Sequence, residues 1–298
     1  AGLRHRAVTD LFEPGSTMKP LLVARALDSG MYTRNSVIDT EGGVMRVGRD
    51  LTVRDFRDYG PVDLQRLLTK SSNVGAAKVG LKLGAERVWQ VYQDFGFGQA
   101  TGSRFPGERA GVLRDYFRWG DVETATAAYG YGASVTALQL ARAHAVLADG
   151  GRLHDLRLVK GDLGGPVLQP RQVITPKTAR AVRELMEGVI TPEGTATRAA
   201  IRGYNVAGKT GTVRKVDGDG YNSKRHQALF VGIAPAKHPR VVTLVMIDEP
   251  TADAYYGGAV SAPVFSNVMR ETMRILRVPP DNPEIFTADT GVDAGDRS

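Results

Sequence analysis

Apolar residues in the first two thirds of the chain recur at the three- and four-residue spacing of amphipathic helices. Several of these stretches begin at a serine, threonine or proline and end at a glycine, which are common helix boundaries. The pattern predicts helices over 19–28, 62–70, 71–84, 85–96, 135–151 and 175–190. Ser71 or Ser72 is expected to cap the third of them, and 97–121 is expected to be irregular.

The pattern changes after residue 205. Runs rich in β-branched residues over 206–216, 228–235 and 240–248 are joined by short polar links, which predicts an antiparallel meander. A last helix is predicted over 261–276, and the Pro-, Asp- and Gly-rich residues after it show no periodicity. Helices, then strands, then a closing helix indicate an α+β domain in which helices cover a sheet.

Composition narrows the range of functions. The 298 residues are 42% hydrophobic and 24% charged, as in a folded globular protein. The net charge of +7 comes from scattered basic residues, so no nucleic-acid partner is expected. The absence of cysteine excludes disulfides, thiolate metal sites and a cysteine nucleophile. The histidines lack the spacing of a helical metal site, and no stretch approaches the roughly 18 apolar residues of a membrane span.

One stretch, GYNVAGKT (203–210), matches the phosphate-binding pattern G-x-x-x-x-G-K-T, and the later run VVTLVMIDEP ends in acidic residues. A phosphate-binding loop needs a buried strand before it and a helix after it. The flanking sequences GTATRAAIR and GTVRKVDGDG supply neither. A nucleotide-binding enzyme therefore remains a distant alternative, and no cofactor is expected.

The segment EPGSTMKP contains S-x-x-K, with Ser16 and Lys19 one helical turn apart on the same face. The preceding Pro-Gly pair places Ser16 at the start of a helix, where free N–H groups favour negative charge. An acyl-transfer serine needs a neighbouring base and oxyanion donors. Lys19 can serve as that base if burial and a second nearby cation lower its pKa.

Two further motifs follow along the chain. Ser71 and Asn73 form S-x-N on the turn before a predicted helix, and they offer a proton-relaying hydroxyl and a peptide-binding amide. Lys209 begins K-T-G-T on a predicted strand, whose edge can pair with an extended peptide. The triple S-x-x-K, S-x-N, K-T-G is the signature of penicillin-binding proteins and class A β-lactamases.

The segments EPGSTMKP, KSSNVGAAKVGL, YGYGASVTALQLARAHAVLADGG, AGKTGT and YYGGAVSAPVF together resemble the transpeptidase domain of class B penicillin-binding proteins over about residues 5–277. Glu13 before PGST favours the cell-division (FtsI-like) type. The resemblance implies an antiparallel sheet with helices on both faces and an all-helical subdomain. It also implies one transpeptidase domain over 1–277, with a loosely ordered tail over 278–298.

The resemblance assigns catalytic roles to the three motifs. Ser16 is expected to form an acyl-enzyme with a peptidoglycan stem peptide, and Lys19 is the base. Ser71 and Lys209 help to deliver a proton to the leaving D-alanine, and Asn73 orients the peptide. β-Lactams acylate the same serine, and no metal is required.

Substrate-binding roles follow in the same way, with the N–H groups of Ser16 and Thr212 expected as the oxyanion hole. His226 occupies a position where division-type relatives often have an aromatic residue. The expected substrate-binding residues are Thr210, Gly211, Thr212, Arg214, Tyr255 and Tyr256.

Family members of this type carry an N-terminal membrane anchor and a pedestal domain, which are expected to be absent from this chain. The resemblance implies an enzyme on the periplasmic face of the bacterial inner membrane. Its expected partners are stem peptides, β-lactams and divisome proteins, including a septal glycosyltransferase that the missing N-terminal region would contact.

Three related functions remain open at this point. A serine β-lactamase shares the motifs, but no E-x-x-L-N-like segment lies between the second and third motifs, and ELMEGV (184–189) is a poor substitute. A D,D-carboxypeptidase would use the same residues with water as the acceptor. A non-catalytic β-lactam receptor domain would keep Ser16 acylated.

Overall fold

A computed structural model describes residues 4–159, 169–217, 220–251 and 254–282. Its helices are α1 (Arg6–Thr9), α2 (Lys19–Asp28), α3 (Leu64–Lys70), α4 (Asn73–Leu83), α5 (Ala85–Asp94), α6 (Asp121–Ala128), α7 (Ala137–Ala148), α8 (Pro176–Glu187) and α9 (Gly257–Ile275). Short 3-10 turns lie at Gly15–Met18, Glu41–Gly43, Tyr116–Arg118 and Thr197–Ala199. The strands are β1 (Val44–Val47), β2 (Leu51–Arg54), β3 (Val112–Leu113), β4 (Ala133–Ser134), β5 (Arg152–Leu153), β6 (Arg171–Gln172), β7 (Ala207–Asp217), β8 (Gly220–Ala234) and β9 (Val241–Asp248).

The main sheet has the order β7-β8-β9, and both pairs are antiparallel, which confirms the predicted meander. On one face of β8, the Phe230 ring packs edge-on against Phe265 of α9, with centroids 4.8 Å apart. Alternate side chains of a strand point to opposite faces. Leu229, Val231 and Ile233 therefore face the other side, where they are also fully buried. The predicted α+β fold with helices on both faces is confirmed.

A group of helices packs beside the sheet: α4 contacts α2, α5 and α6, and α2 also contacts α8. Small residues allow a close crossing of α4 and α6, since a Cβ added at Gly80 would lie 2.4 Å from the Ala128 Cβ. Ser72 caps α4 by accepting a hydrogen bond from the Gly75 N–H at 2.8 Å. This crossing fixes the direction of α4, which begins at the second motif.

The structure differs from the predicted elements in several places. The last helix begins at Gly257, four residues earlier than predicted, and takes Pro263 into its first turns. Helix α6 and the β1–β2 ribbon were not predicted, because Thr- and Ala-rich α6 and the four-residue strands show little hydrophobic contrast. Of the predicted tail, Asn282 donates its N–H to Gly203 at 3.1 Å, and 283–298 lie outside the described residues.

None of the helices in the described part of the chain is long and apolar enough to span a bilayer.

His144 on α7 is fully buried, and its Nδ1 lies 3.0 Å from the Leu140 carbonyl. Burial lowers the pKa of His144 from 6.5 to about 4, because the charged form loses its hydration.

The α4–α6 crossing predicts the effect of a larger side chain at Gly80. We expect Gly80→Val to lower the free energy of unfolding by about 1–3 kcal/mol, because the added methyl groups overlap Ala128. Urea denaturation measures this loss, and the exposed substitution Glu86→Ala on α5 serves as the control. An unchanged midpoint in the valine variant contradicts the tight crossing.

The lowered pKa of His144 predicts that the protein loses stability in mild acid. Its pKa is lowered in the fold, so the unfolded chain binds the proton more tightly as the pH falls below 6.5. We expect His144 to remove about 2 kcal/mol of stability between pH 7 and pH 4.5. In His144→Gln, urea denaturation at the two pH values is expected to show a correspondingly smaller loss than in the wild type.

Candidate active site

Ser16 lies in the 3-10 turn Gly15–Met18, directly before α2. Its Oγ is 3.0 Å from the Nζ of Lys19, which is fully buried at the start of α2. The Gly15 N–H donates to the Gly130 carbonyl at 2.9 Å, and a Cβ at Gly130 would lie 1.9 Å from the Gly15 oxygen. Only glycine at residue 130 permits this close backbone contact, which holds the turn carrying Ser16.

The second motif lies against Lys19. The Lys19 Nζ donates to the Ser71 carbonyl at 2.6 Å and to Asn73 Oδ1 at 2.7 Å, and lies 3.2 Å from Ser71 Oγ. Ser71 ends α3 in the left-handed conformation, with φ of 58°, while Ser72 caps α4. This division of roles leaves the Ser71 hydroxyl free to face the active site.

The third motif approaches Ser71 from the opposite side. The Lys209 Nζ on β7 donates to Ser71 Oγ at 2.9 Å, although the two residues are 138 positions apart in the chain. The same amine contacts the Thr210 carbonyl at 3.1 Å. Ser16, Lys19, Ser71 and Lys209 therefore form one continuous line of hydrogen-bonded side chains.

Burial changes the protonation of both lysines. It lowers the pKa of Lys209 to about 7. It also lowers the pKa of Lys19 well below its ordinary value, an effect that the nearby charge of Lys209 reinforces and that of Asp55 opposes. The lowered pKa of Lys19 favours its neutral amine, which is the form that can accept the Ser16 proton.

The strand β7 forms an outer edge of the main sheet, because it pairs with β8 alone among the described strands. A Cβ added at Gly211 would lie 3.0 Å from the Thr17 methyl group, so glycine keeps β7 close to the turn that carries Ser16. Thr212 Oγ1 accepts the Gly257 N–H at 3.1 Å, and Thr210 Oγ1 is 2.9 Å from Thr195 Oγ1. Lys209 lies on a strand of an antiparallel pair, which excludes the phosphate-loop interpretation of GYNVAGKT.

The remaining predicted substrate-binding residues lie at the far end of β7. Arg214 is exposed and is directly opposite His226 in the β7–β8 register. The His226 ring stacks on Tyr255 at 4.3 Å, and Tyr255 stacks on Tyr256 at 4.5 Å. His226 thus belongs to a three-ring stack with both tyrosines, and the binding roles of these residues stay predictions.

A groove of about 510 Å³ opens beside Asn73. Most of its lining had no expected function, although Tyr129 and Tyr131 begin the segment YGYGASVTALQLARAHAVLADGG that carries part of the family resemblance. The polar and aromatic lining residues are Thr52, Arg54, Asn73, Thr126, Tyr129, Tyr131 and Arg214. Its continuity with Asn73 and Arg214 makes the groove an extension of the candidate active site.

Sequence reasoning also missed Asp55, which follows β2 and whose carboxylate accepts hydrogen bonds from Ser72 and from the first turn of α4. A single acidic residue after a four-residue strand carries no recognisable pattern. Within the described residues, no group of His, Cys, Asp and Glu side chains could hold a metal ion.

The comparisons with known proteins agree with this geometry. The family model "Penicillin binding protein transpeptidase domain" matches residues 2–270, so the chain belongs to that family. It is 42% identical over 280 residues to the "Probable peptidoglycan D,D-transpeptidase PenA" of Neisseria gonorrhoeae, covering 94% of this chain and 47% of the relative. It is 40% identical over 279 residues to "Peptidoglycan D,D-transpeptidase FtsI" of Escherichia coli strain K12, covering 94% and 46%.

Among solved structures, the chain is similar to the apo transpeptidase domain of Burkholderia pseudomallei penicillin-binding protein 3. The TM-score is 0.88 and the identity 42%, over 94% of this chain and 84% of that chain. The chain spans about half the length of the curated relatives it matches, 47% in the case of PenA. The predicted family is thereby confirmed.

The position of Lys19 predicts the effect of removing its amine. Lys19→Met keeps the length and suits the buried site, but methionine cannot accept a proton. We expect the rate of Ser16 acylation by a fluorescent penicillin to fall by about 10²–10⁴-fold. The exposed Lys82→Met on α4 is the matched control, and a Lys19 variant within tenfold of the wild type contradicts the assignment.

Proposed function

We propose that this chain is the catalytic domain of a peptidoglycan D,D-transpeptidase, which cross-links stem peptides during septal cell-wall synthesis. The observation that carries the proposal is the hydrogen-bonded line from Ser16 through Lys19 and Ser71 to Lys209. It joins a nucleophile, a base and a proton relay in one buried site beside an open strand edge.

In the acylation step, Ser16 Oγ attacks the carbonyl between the last two D-alanines of the donor stem peptide. The hydroxyl proton passes to neutral Lys19, whose Nζ is 3.0 Å away. The N–H groups of Ser16 and Thr212 stabilise the oxyanion. The C–N bond then breaks, and the leaving D-alanine amine receives a proton through Ser71 and Lys209.

In the second step, an amine of a neighbouring stem peptide attacks the Ser16 ester. The amine loses its proton to the lysine pair, an amide bond forms, and the Ser16 hydroxyl is regenerated. A β-lactam enters the first step in the same way: its ring amide opens, the ring nitrogen takes the proton, and the acyl group stays on Ser16.

Substrate recognition in this proposal uses the outer edge of β7. The donor peptide adds to that edge through main-chain hydrogen bonds, as extended peptides do at open sheet edges. The hydroxyls of Thr210 and Thr212, backed by Lys209, bind its terminal carboxylate. Gly211 allows the close approach, and the remainder of the peptide extends toward Arg214 and the Tyr255–Tyr256 pair.

The cellular setting is part of the proposal and is supported by the similarity to cell-division relatives. We place the activity on the periplasmic face of the bacterial inner membrane. Stem peptides are the substrates, β-lactams the inhibitors, and divisome proteins, including a septal glycosyltransferase, the partners.

The structure offers little support for a β-lactamase. That activity needs a carboxylate that activates water at the acyl-enzyme. In the segment 184–189, Glu184 forms ion pairs with Arg34 at 2.5 Å and Arg180 at 3.1 Å, so its carboxylate is engaged in a surface network.

Intact-mass spectrometry tests the proposal. After incubation with a fluorescent penicillin, we expect a stable one-to-one adduct on Ser16 that is absent from Ser16→Ala. With a stem pentapeptide and an amine acceptor, we expect D-alanine release and a cross-linked product.

Other outcomes separate the alternatives. D-alanine release with hydrolysis alone supports a carboxypeptidase, and rapid turnover of the penicillin supports a β-lactamase. A stable adduct without any D-alanine release supports a receptor domain. Absence of an adduct in the folded protein contradicts the whole assignment.

A further inference from the structure

Asp55 connects the β1–β2 ribbon to the second motif. Its Oδ2 accepts a hydrogen bond from Ser72 Oγ at 2.7 Å. Its Oδ1 accepts the N–H of Val74 at 3.0 Å and that of Asn73. These N–H groups lie in the first turn of α4, where a helix leaves its donors unpaired and favours a negative charge. A carboxylate from another segment thus caps the helix that begins with Asn73.

The end of β2 also holds the side chain of Asn73. Asn73 Nδ2 donates to the Arg54 carbonyl at 3.0 Å, which directs Oδ1 toward the Lys19 Nζ, 2.7 Å away. Asp55 and Arg54 therefore fix the backbone and the amide of Asn73 respectively. Loss of the Asp55 carboxylate would release the backbone half of this arrangement.

Asp55 also affects the protonation of Lys19. The charged groups acting on Lys19 are Lys209 from β7, which lowers its pKa, and Asp55 from the end of β2, which raises it. The other side chains around the amine, those of Ser16, Ser71 and Asn73, are uncharged. One carboxylate thus partly offsets the effect of the Lys209 charge on Lys19.

We propose that Asp55 is a positioning residue for Ser16 acylation: its carboxylate holds Asn73 against Lys19 and counteracts the effect of the Lys209 charge on Lys19. The inference rests on the acyl-enzyme chemistry proposed above. The β1–β2 ribbon lies outside the three motifs. In this proposal its end has a direct influence on the catalytic base.

Asp55→Asn separates the charge from the hydrogen bonds. The amide oxygen can still accept the N–H groups of Asn73 and Val74, and the amide nitrogen can donate to Ser72 Oγ. Removing the negative charge makes protonated Lys19 less favourable, so neutral Lys19 persists to lower pH. We expect the acidic limb of the second-order acylation rate, measured with a fluorescent penicillin from pH 5 to 9, to move down by about 0.5–1 pH unit.

Two further variants calibrate that result. Asp55→Ala removes charge and hydrogen bonds together, so we expect the rate to fall by about 10–100-fold in addition to the shifted limb. Asp58→Asn is the matched control: Asp58 is exposed in the same segment and accepts the Gly60 N–H at 2.7 Å, so both rate and limb are expected to stay as in the wild type.

An acidic limb that does not move in Asp55→Asn overturns the proposal, whether the rate is unchanged or uniformly reduced. If circular dichroism shows that this variant is unfolded, Asp55→Glu and Asp55→Gln supply the same comparison of charged and neutral side chains. An acylated wild type with an unmoved limb rejects only the role of Asp55. A wild type that is not acylated at all rejects the proposed function instead.

Discussion

The site depends on one constraint: the amines of Lys19 and Lys209 are both buried, and both lie against the hydroxyl of Ser71. Lys19 and Lys209 are each fully buried, and both Nζ atoms contact Ser71 Oγ, at 3.2 and 2.9 Å. Burial of an amine is unfavourable for its charged form, and the second amine increases the penalty. The fold thus favours the neutral form of these amines, and the packing around them must offset the free-energy cost of their burial.

Close backbone contacts hold the three motifs near one another despite the free-energy cost of burying the two amines. The turn that carries Ser16 contacts Gly130 on one side and approaches β7 at Gly211 on the other. The second motif is fixed through the crossing of α4 with α6 at Gly80. Contacts of this kind leave little room for side-chain rearrangement, so the lysines and serines keep hydrogen-bond distances although they come from distant parts of the chain.

Elements with strong periodicity could be predicted from the sequence, as α2, α8 and the β7–β9 meander show, and so could the three motifs. The β1–β2 ribbon, α6 and Asp55 could not. Helix α6 is built from small residues that suit a close crossing but give no apolar stripe, and Asp55 acquires its role only when β2 meets α4. Such tertiary contacts leave no periodic signal in the chain. The sequence also left open which serine caps α4, and the structure answers this question through Ser72, whose Oγ accepts the Gly75 N–H.

The open edge of β7 has a consequence for the behaviour of the protein in solution. An unpaired strand edge is a template for any extended chain, including a strand of another copy, and proteins commonly protect such edges with charge or cover. Here the α3–α4 turn with Ser71 lies across from Lys209, and exposed Arg214 stands farther along the strand. The turn covers part of the edge, and the charge of Arg214 is of the kind that discourages pairing with another strand. Cover of this kind disfavours aggregation at the same edge that the proposed function assigns to the donor peptide.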